Sequence, residues 1–375
     1  MRRADIAELF QADGPFVSAY LATPHRSPNA AQQLAVRWKD ARRELADAGA
    51  PDRLLEVVDP LIDGAVDPLI DGTEPHGDTL AVVAGAAGVL LAEQLPAPPP
   101  RETVARYGPL PDVVQLVAHV QGQPPPWLAV RVDRTGAQVA VLGADAEPAA
   151  VQQVEGETGP HIRKSKPGGW SQRRYQEHAE HHWQATAKEV ADRLAHLVDR
   201  LAPRLVTVAG DVRAVQLLRE AAPERVAALL REVGGELATL EQVVSAGRPV
   251  AAELARADNE AVLARFAAER GQRDRAVEGV PATVAALAEA RVQTLLLVPD
   301  AVEGRTAWFG PAPFHLAEAP ETLLVLGVGE PARARLADVL LRAVFGGGGE
   351  ARVVAGDRPE APADGVGALV RWRQP

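Results

Sequence analysis

The most chemically loaded stretch of the chain runs Lys164-Ser-Lys-Pro-Gly-Gly-Trp-Ser-Gln-Arg-Arg174. Pro167 fixes one turn, and Gly168-Gly169 opens backbone geometries closed to other residues. Trp170 then stands among Arg163, Lys164, Lys166, Arg173 and Arg174, with Gln172 beside it. A large aromatic, several cations and a pliable backbone are what recognition of looped or single-stranded RNA uses, stacking on bases and placing charge on phosphates. The same residue types also fit a solvated loop whose Trp tucks into the core. A second basic cluster is Arg37-Trp38-Lys39-Asp-Ala-Arg42-Arg43. Lys39, Arg42 and Arg43 share a helix face as a candidate RNA surface, or as an ordinary solvated one.

Two other constellations could hold a metal. His178, His181 and His182 are spaced i, i+3 and i+4 on one helix, but no HExxH accompanies them. Solvated or RNA-facing histidines are the commoner use. Asp133 and Asp211 each follow a strand pattern, where carboxylates can bind Mg2+ if Glu155 or Asp145 joins them. Turn-capping aspartates are commoner. No catalytic, metal or cofactor site is expected. GxxxxGK[ST] and strand–GxGxxG–helix patterns are missing, and Gly327-Val-Gly329 is too weak to use.

Composition narrows the classes further. The chain has 375 residues, 47% of them apolar, enough for two or three packed domains. The absence of cysteine removes disulfides, thiolate catalysis, zinc fingers and iron–sulfur clusters. No apolar run reaches a membrane span, so a soluble, cytoplasmic protein with no membrane partner is expected. Net charge is −10. From His161 to Lys188, however, six Lys/Arg face two acids, a +4 island in an acidic chain.

The surrounding pattern supplies an α/β (α+β) scaffold in three domains. Residues 1–122 read as an N-terminal α/β domain: a strand at Phe16–Leu21, a helix striped by Leu34, Trp38, Ala41 and Leu45, and strands at Leu80–Gly85 and Gly88–Leu91. The near-repeat Asp59–Val66/Asp67–Glu74 reads as a local duplication in a tolerant surface segment. Residues 123–247 read as a hairpin-first domain, Leu128–Val132 and Ala137–Leu142 turning at Asp133–Gly136, with a third strand at Val151–Val154. A long helix follows from an N-cap at Ser171, with its stripe at Tyr175, Ala179, Trp183, Ala187, Val190, Leu194, Leu197 and Leu201. Pro203 ends it before a strand at Leu205–Ala209. Gly247–Pro249 marks the next boundary. Residues 248–375 then read as a compact α/β sandwich, with helices at Ala251–Arg270, Pro281–Ala290 and Pro331–Phe345. Its strands fall at Val292–Val298, Leu323–Leu326, Arg352–Ala355 and Val366–Trp372, with a turn at Gly346–Gly349.

The order of these features resembles the archaeo-eukaryotic release factor and Pelota superfamily, in particular its bacterial branch, which includes Balon-like ribosome hibernation factors. In class-one release factors of that superfamily a basic Gly-Gly-Gln-Ser loop opens a long Arg-rich helix. Here Pro167-Gly168-Gly169-Trp170-Ser171 is followed by Gln172, Arg173 and Arg174. The end, Gly365-Val-Gly-Ala-Leu-Val-Arg-Trp372, looks like the family's closing strand, and Gly279–Ala290 with Val292–Val298 is similar to the helix and strand before it. Tyr20-Leu21 and Arg37 to Leu45 look like the bacterial branch's own first domain. The resemblance implies a variable first domain, a ribonuclease-H-like middle domain and a third domain like small ribosomal RNA-binding proteins. It also implies occupancy of the ribosomal A site, with the first domain at the decoding centre and the middle domain reaching the peptidyl-transferase region. The third domain would face a translational GTPase, elongation factor Tu being the candidate. Release factors use the Gln after Gly-Gly to position water. Trp170 stands there instead and can neither accept a proton nor orient water in that way. A non-enzymatic role in hibernation or protection is the reading this favours. A rescue factor, a peptidyl-tRNA hydrolase or a ribonuclease with a rewired site is the alternative.

Overall fold

A computed structural model describes residues 3–23, 29–70, 77–143, 148–155, 169–235, 239–272 and 274–372. Its contacts divide the chain into two compact units, Met1–Gln121 with Asn259–Pro375, and Gly122–Asp258. All of it is mixed α/β.

The first segment contains α1 (Arg3–Leu9), β1 (Phe16–Ala22), α2 (Ala30–Asp47), α3 (Asp52–Glu56), α4 (Asp59–Ile70), β2 (Thr79–Gly85), β3 (Gly88–Leu95), β4 (Thr103–Gly108) and α5 (Val114–Gly122). The strands form an antiparallel sheet in the order β3-β2-β1-β4. Apolar residues occupy both faces of β1 because both are covered. Val17, Ala19 and Leu21 pack with Leu34, Trp38, Ala41 and Leu45 of α2, while Phe16 and Tyr20 join the core of the last segment. The near-repeat is not merely a surface duplication. In its first copy Ile62 is buried in the core, and Asp59 accepts a 2.8 Å hydrogen bond from Trp38 Nε1. The copy reads as surface sequence only because its acids and glycine mask a helix face.

The second unit contains β5 (Trp127–Asp133), β6 (Gly136–Leu142), β7 (Pro148–Glu155), α6 (Gly169–Leu201), β8 (Val206–Gly210), α7 (Val212–Ala221), α8 (Glu224–Ala227), β9 (Leu230–Glu232) and the first part of α9 (Leu240–Gln272). The sheet order is β7-β6-β5-β8-β9, antiparallel across β5–β6–β7 and parallel across β5–β8–β9. Val190, Leu194 and Leu197 of α6 cover one face against Leu128, Val130 and Val132. Val243, Val244 and Ala251 of α9 cover the other against Trp127 and Ala129. The break expected at Gly247–Pro249 therefore lies inside a continuous 33-residue helix. Gly247 is there for packing. A Cβ would meet the Trp127 ring at 2.5 Å and Thr207 Oγ1 at 2.9 Å, so only glycine lets the helix seat on the sheet.

The last segment contains β10 (Ala276–Glu278), α10 (Val280–Ala288), β11 (Val292–Leu297), α11 (Pro299–Val302), β12 (Thr306–Phe309), β13 (Leu316–Ala317), α12 (Pro320–Val325), β14 (Ala332–Arg335), α13 (Leu336–Gly346), β15 (Glu350–Val353) and β16 (Val366–Val370). One sheet runs β10-β16-β11-β15, with only β11 and β15 parallel; a second, antiparallel, runs β13-β12-β14. Two expectations fail here. Leu323–Val325 is helical and Leu326 caps it, because Pro320 starts a helix and Gly327, at φ +84°, stops it. Ala332–Arg335, expected as helix, pairs with Thr306–Phe309, and the helix starts only at Leu336. No helix among the described residues is long and apolar enough to cross a membrane.

Candidate RNA-contact surface

Of the predicted RNA-binding residues, Arg163, Lys164, Lys166 and Gly168 lie outside the described residues. Gly169, Trp170, Gln172, Arg173 and Arg174 fall in the opening turns of α6, which begins at Gly169 rather than after Ser171. Ser171 is thus inside the helix and not its N-cap. A glycine is tolerated at the start because the first backbone N–H groups need no intrahelical acceptor. His181 and His182 are exposed one turn before the buried stripe, and the stripe itself is as predicted at Ala187, Val190, Leu194 and Leu197.

A polar chain at the strand ends adds to the apolar packing of α6 on the sheet. The Arg134 guanidinium lies 4.5 Å from the Trp183 ring centroid, a cation–π contact. Arg134 Nε pairs with Asp211 Oδ2 at 2.9 Å. Asp211 Oδ1 caps α7 by accepting from the backbone N–H groups of Arg213 and Ala214, each at 3.0 Å. Asp133 accepts from Thr135 N at 2.8 Å and from Thr135 Oγ1 at 2.6 Å, and Arg131 Nη1 donates to it at 3.0 Å. Partial burial pushes the Asp133 carboxyl up, but the hydrogen bonds from Thr135 and Arg131 outweigh it and hold it below the usual carboxylate value. Both aspartates therefore serve a turn and a cap. Asp145 lies outside the described residues, as does the side chain of Glu155. Among the described residues no group of three His, Asp or Glu is placed to hold a metal.

The α2 cations separate into two kinds. Arg37 Nη1 donates to the Ala22 carbonyl at 3.0 Å and its Nη2 pairs with Glu102 at 3.3 Å. Arg42 Nε pairs with Asp59 at 3.3 Å. These two tie α2 to its own sheet and to α4. Lys39 and Arg43 face outward, Arg43 pairing with Asp40 at 2.9 Å on the same helix.

A third polar cluster has no counterpart in the sequence reading. Asp112, its side chain 6% exposed, receives Arg335 Nη1 at 2.6 Å on the same oxygen that lies 2.9 Å from Arg106 Nε. Arg106 Nη2 donates to Glu303 at 2.8 Å, and Arg335 Nη1 also reaches Asp338 at 3.3 Å. The Asp112 backbone is fixed too. Its carbonyl accepts from Tyr20 Oη at 2.6 Å and its N–H donates to Ser18 Oγ at 3.0 Å. Burial, and then the Asp112 charge, push the Asp338 carboxyl well above its ordinary value. Burial likewise pushes the Tyr20 hydroxyl up. Arg106, Asp112, Glu303 and Arg335 border a cavity of about 210 Å³ that Arg101, Gln115 and Asp300 also line. Two of its arginines, Arg106 and Arg335, share Asp112 and Glu303, and among its described lining residues there is no nucleophile–base arrangement. It clasps the first and last segments of one unit. The charged members are scattered from Arg106 to Asp338, and only the i, i+3 pair Arg335/Asp338 left a local signal.

The model of the Bacterial archaeo-eukaryotic release factor family 2 matches residues 126–272. The chain is 30% identical over 380 residues to "Uncharacterized protein Rv2629" of Mycobacterium tuberculosis (strain ATCC 25618 / H37Rv), covering 99% of this chain and 97% of that one. Among solved structures it is similar to the archaeal translation termination factor aRF1, at 18% identity over 98% of this chain and 96% of that chain, with a TM-score of 0.24. It is also similar to Archaeoglobus fulgidus Pelota, at 15% identity over 78% and 80%, with a TM-score of 0.31. The archaeal Pelota of a ribosome-bound model with ABCE1 is 14% identical over 79% and 83%, with a TM-score of 0.39.

Proposed function

The chain belongs to the bacterial archaeo-eukaryotic release factor family, and from that premise we propose that it is a ribosome-binding factor of the A site, acting in hibernation or protection without hydrolysing peptidyl-tRNA. The observation that carries this reading is the head of α6. A 33-residue helix opens on Gly169-Trp170, and the sequence from His161 to Lys188 that contains this opening carries six cations in an otherwise acidic chain. Cations there neutralise ribosomal RNA phosphates, and Trp170 offers a stacking face to a base. Trp170 has no group to orient the water that peptidyl ester hydrolysis needs. Lys39 and Arg43, outward on α2, are the candidates for the decoding-centre side, while Arg37 and Arg42 hold that helix in place. The three-domain division is kept as a functional one, with the middle domain taken as the compact unit Gly122–Asp258. The third domain is the side that meets a translational GTPase, with elongation factor Tu as the candidate.

The test is co-pelleting with purified bacterial ribosomes through a sucrose cushion across a salt series. The expected plot of log affinity against log salt is steep, its slope falling by about one for each cation removed. Binding that ignores salt and survives reversal of Arg163, Lys164, Lys166, Arg173 and Arg174 to Glu would contradict the reading. Release of peptide from peptidyl-tRNA by the parent chain would favour the hydrolase alternative, with Gln172 as its first suspect.

A further inference from the structure

One surface feature is used by neither the fold nor the α6 reading. Leu324, Val325 and Leu326 are consecutive and 51%, 88% and 61% exposed. They end α12 in a tightly specified way. Gly327 takes φ +84°, its N–H donates to the Leu324 carbonyl at 3.0 Å, and the Val328 N–H donates to the Leu323 carbonyl at 3.0 Å. This is a Schellman closure, with Val328 packed in one small core with buried Leu323 and Ala317 and half-buried Trp308. Pro320 fixes the other end. The three aliphatics are therefore held out on an anchored turn, at little conformational cost on binding. Near them in sequence Glu318, Glu321 and Glu330 are exposed, against one exposed cation, Arg333, which pairs across from Trp308.

Resting on the ribosome-binding reading, we infer that this tip docks into an apolar cleft bordered by Lys and Arg on a protein of the ribosome. With three exposed acids against Arg333, the border disfavours phosphate and so favours a protein over RNA as the occupant. Three side chains on one helix end fall far short of the ~1,600 Å² of a stand-alone protein interface. A second copy held by this tip alone would not stay bound, whereas a partner already brought close by the α6 cations would. The tip then acts as a second point of attachment, adding affinity to a contact made elsewhere.

The experiment uses the full chain and purified bacterial 70S ribosomes. A photo-crosslinking amino acid replaces Val325, and in parallel the double variant Val325→Asp/Leu326→Asp is compared with the parent by co-pelleting. The expected results are a light-dependent crosslink to a ribosomal protein and about tenfold weaker binding of the double variant, with its thermal unfolding unchanged. Crosslinking to ribosomal RNA overturns the inference. So does an absence of crosslinks on a chain that still co-pellets, or unchanged affinity of the double variant. In those cases the ribosome reading stands without the tip. Failure of the parent chain to co-pellet overturns both.

Discussion

The two basic regions of this chain use arginine for different ends. In α2 and in the Asp112 cluster the cations meet acids supplied by distant parts of the same unit: Arg37 with Glu102, Arg42 with Asp59, Arg106 and Arg335 with Asp112 and Glu303. Around the head of α6 six cations face two acids in the sequence. On the proposed reading, the contrast separates cations that build the fold from cations kept for a partner. Sequence density of acids, rather than of bases, is what tells them apart.

The comparison breaks most visibly by reversing the five α6-head cations to Glu. Ribosome affinity is expected to fall by about a thousandfold or more, with stability in urea changed by no more than about 0.5 kcal/mol. Asp112→Ala should do the opposite. Leaving Arg106 and Arg335 without their buried partner costs about 2–4 kcal/mol, discounted for their partial exposure, and is measured by urea unfolding, with the salt dependence of ribosome binding unaltered. Gly247→Val, which forces a branched side chain onto Trp127, should cost about 1–3 kcal/mol in the same assay. Arg134→Ala removes a cation–π contact and an exposed ion pair and should cost about 1 kcal/mol.

Asp338 sharpens the comparison through pH. Its folded-state proton affinity is raised by burial, so the folded chain holds a proton that the unfolded chain releases above the ordinary carboxylate range. The stability this contributes is complete below about pH 3.8 and is lost as pH rises toward the raised folded value. Asp338→Asn should flatten that decline, by at most about 1.4 kcal/mol per pH unit, in unfolding curves followed across pH.

Legibility in the sequence followed how local the cause was. The α6 stripe, the β5–β6 hairpin and the two faces of β1 are periodic, and their periods are fixed by helix and strand geometry. Gly247 misled because glycine signals a loop by backbone freedom and a close contact by its missing side chain, and sequence does not distinguish the two. Leu323–Leu326 misled because four aliphatics read as a buried strand, whereas Pro320 and Gly327 bracket a single helical turn. The Asp112 cluster was invisible because its members meet only when the ends of the chain fold together. Asp133 and Asp211 were legible as strand-end acids, and their turn and cap partners explain why they stand there.

The central claim is occupancy of the A site by the segment that opens α6. Its most direct test is a competition on programmed bacterial ribosomes between this chain and A-site aminoacyl-tRNA, both labelled and followed by co-pelleting. Mutual exclusion is predicted, with half-displacement shifting in proportion to tRNA concentration and lost in the five-residue reversal, which does not bind. Simultaneous retention of both ligands at saturation would contradict the claim.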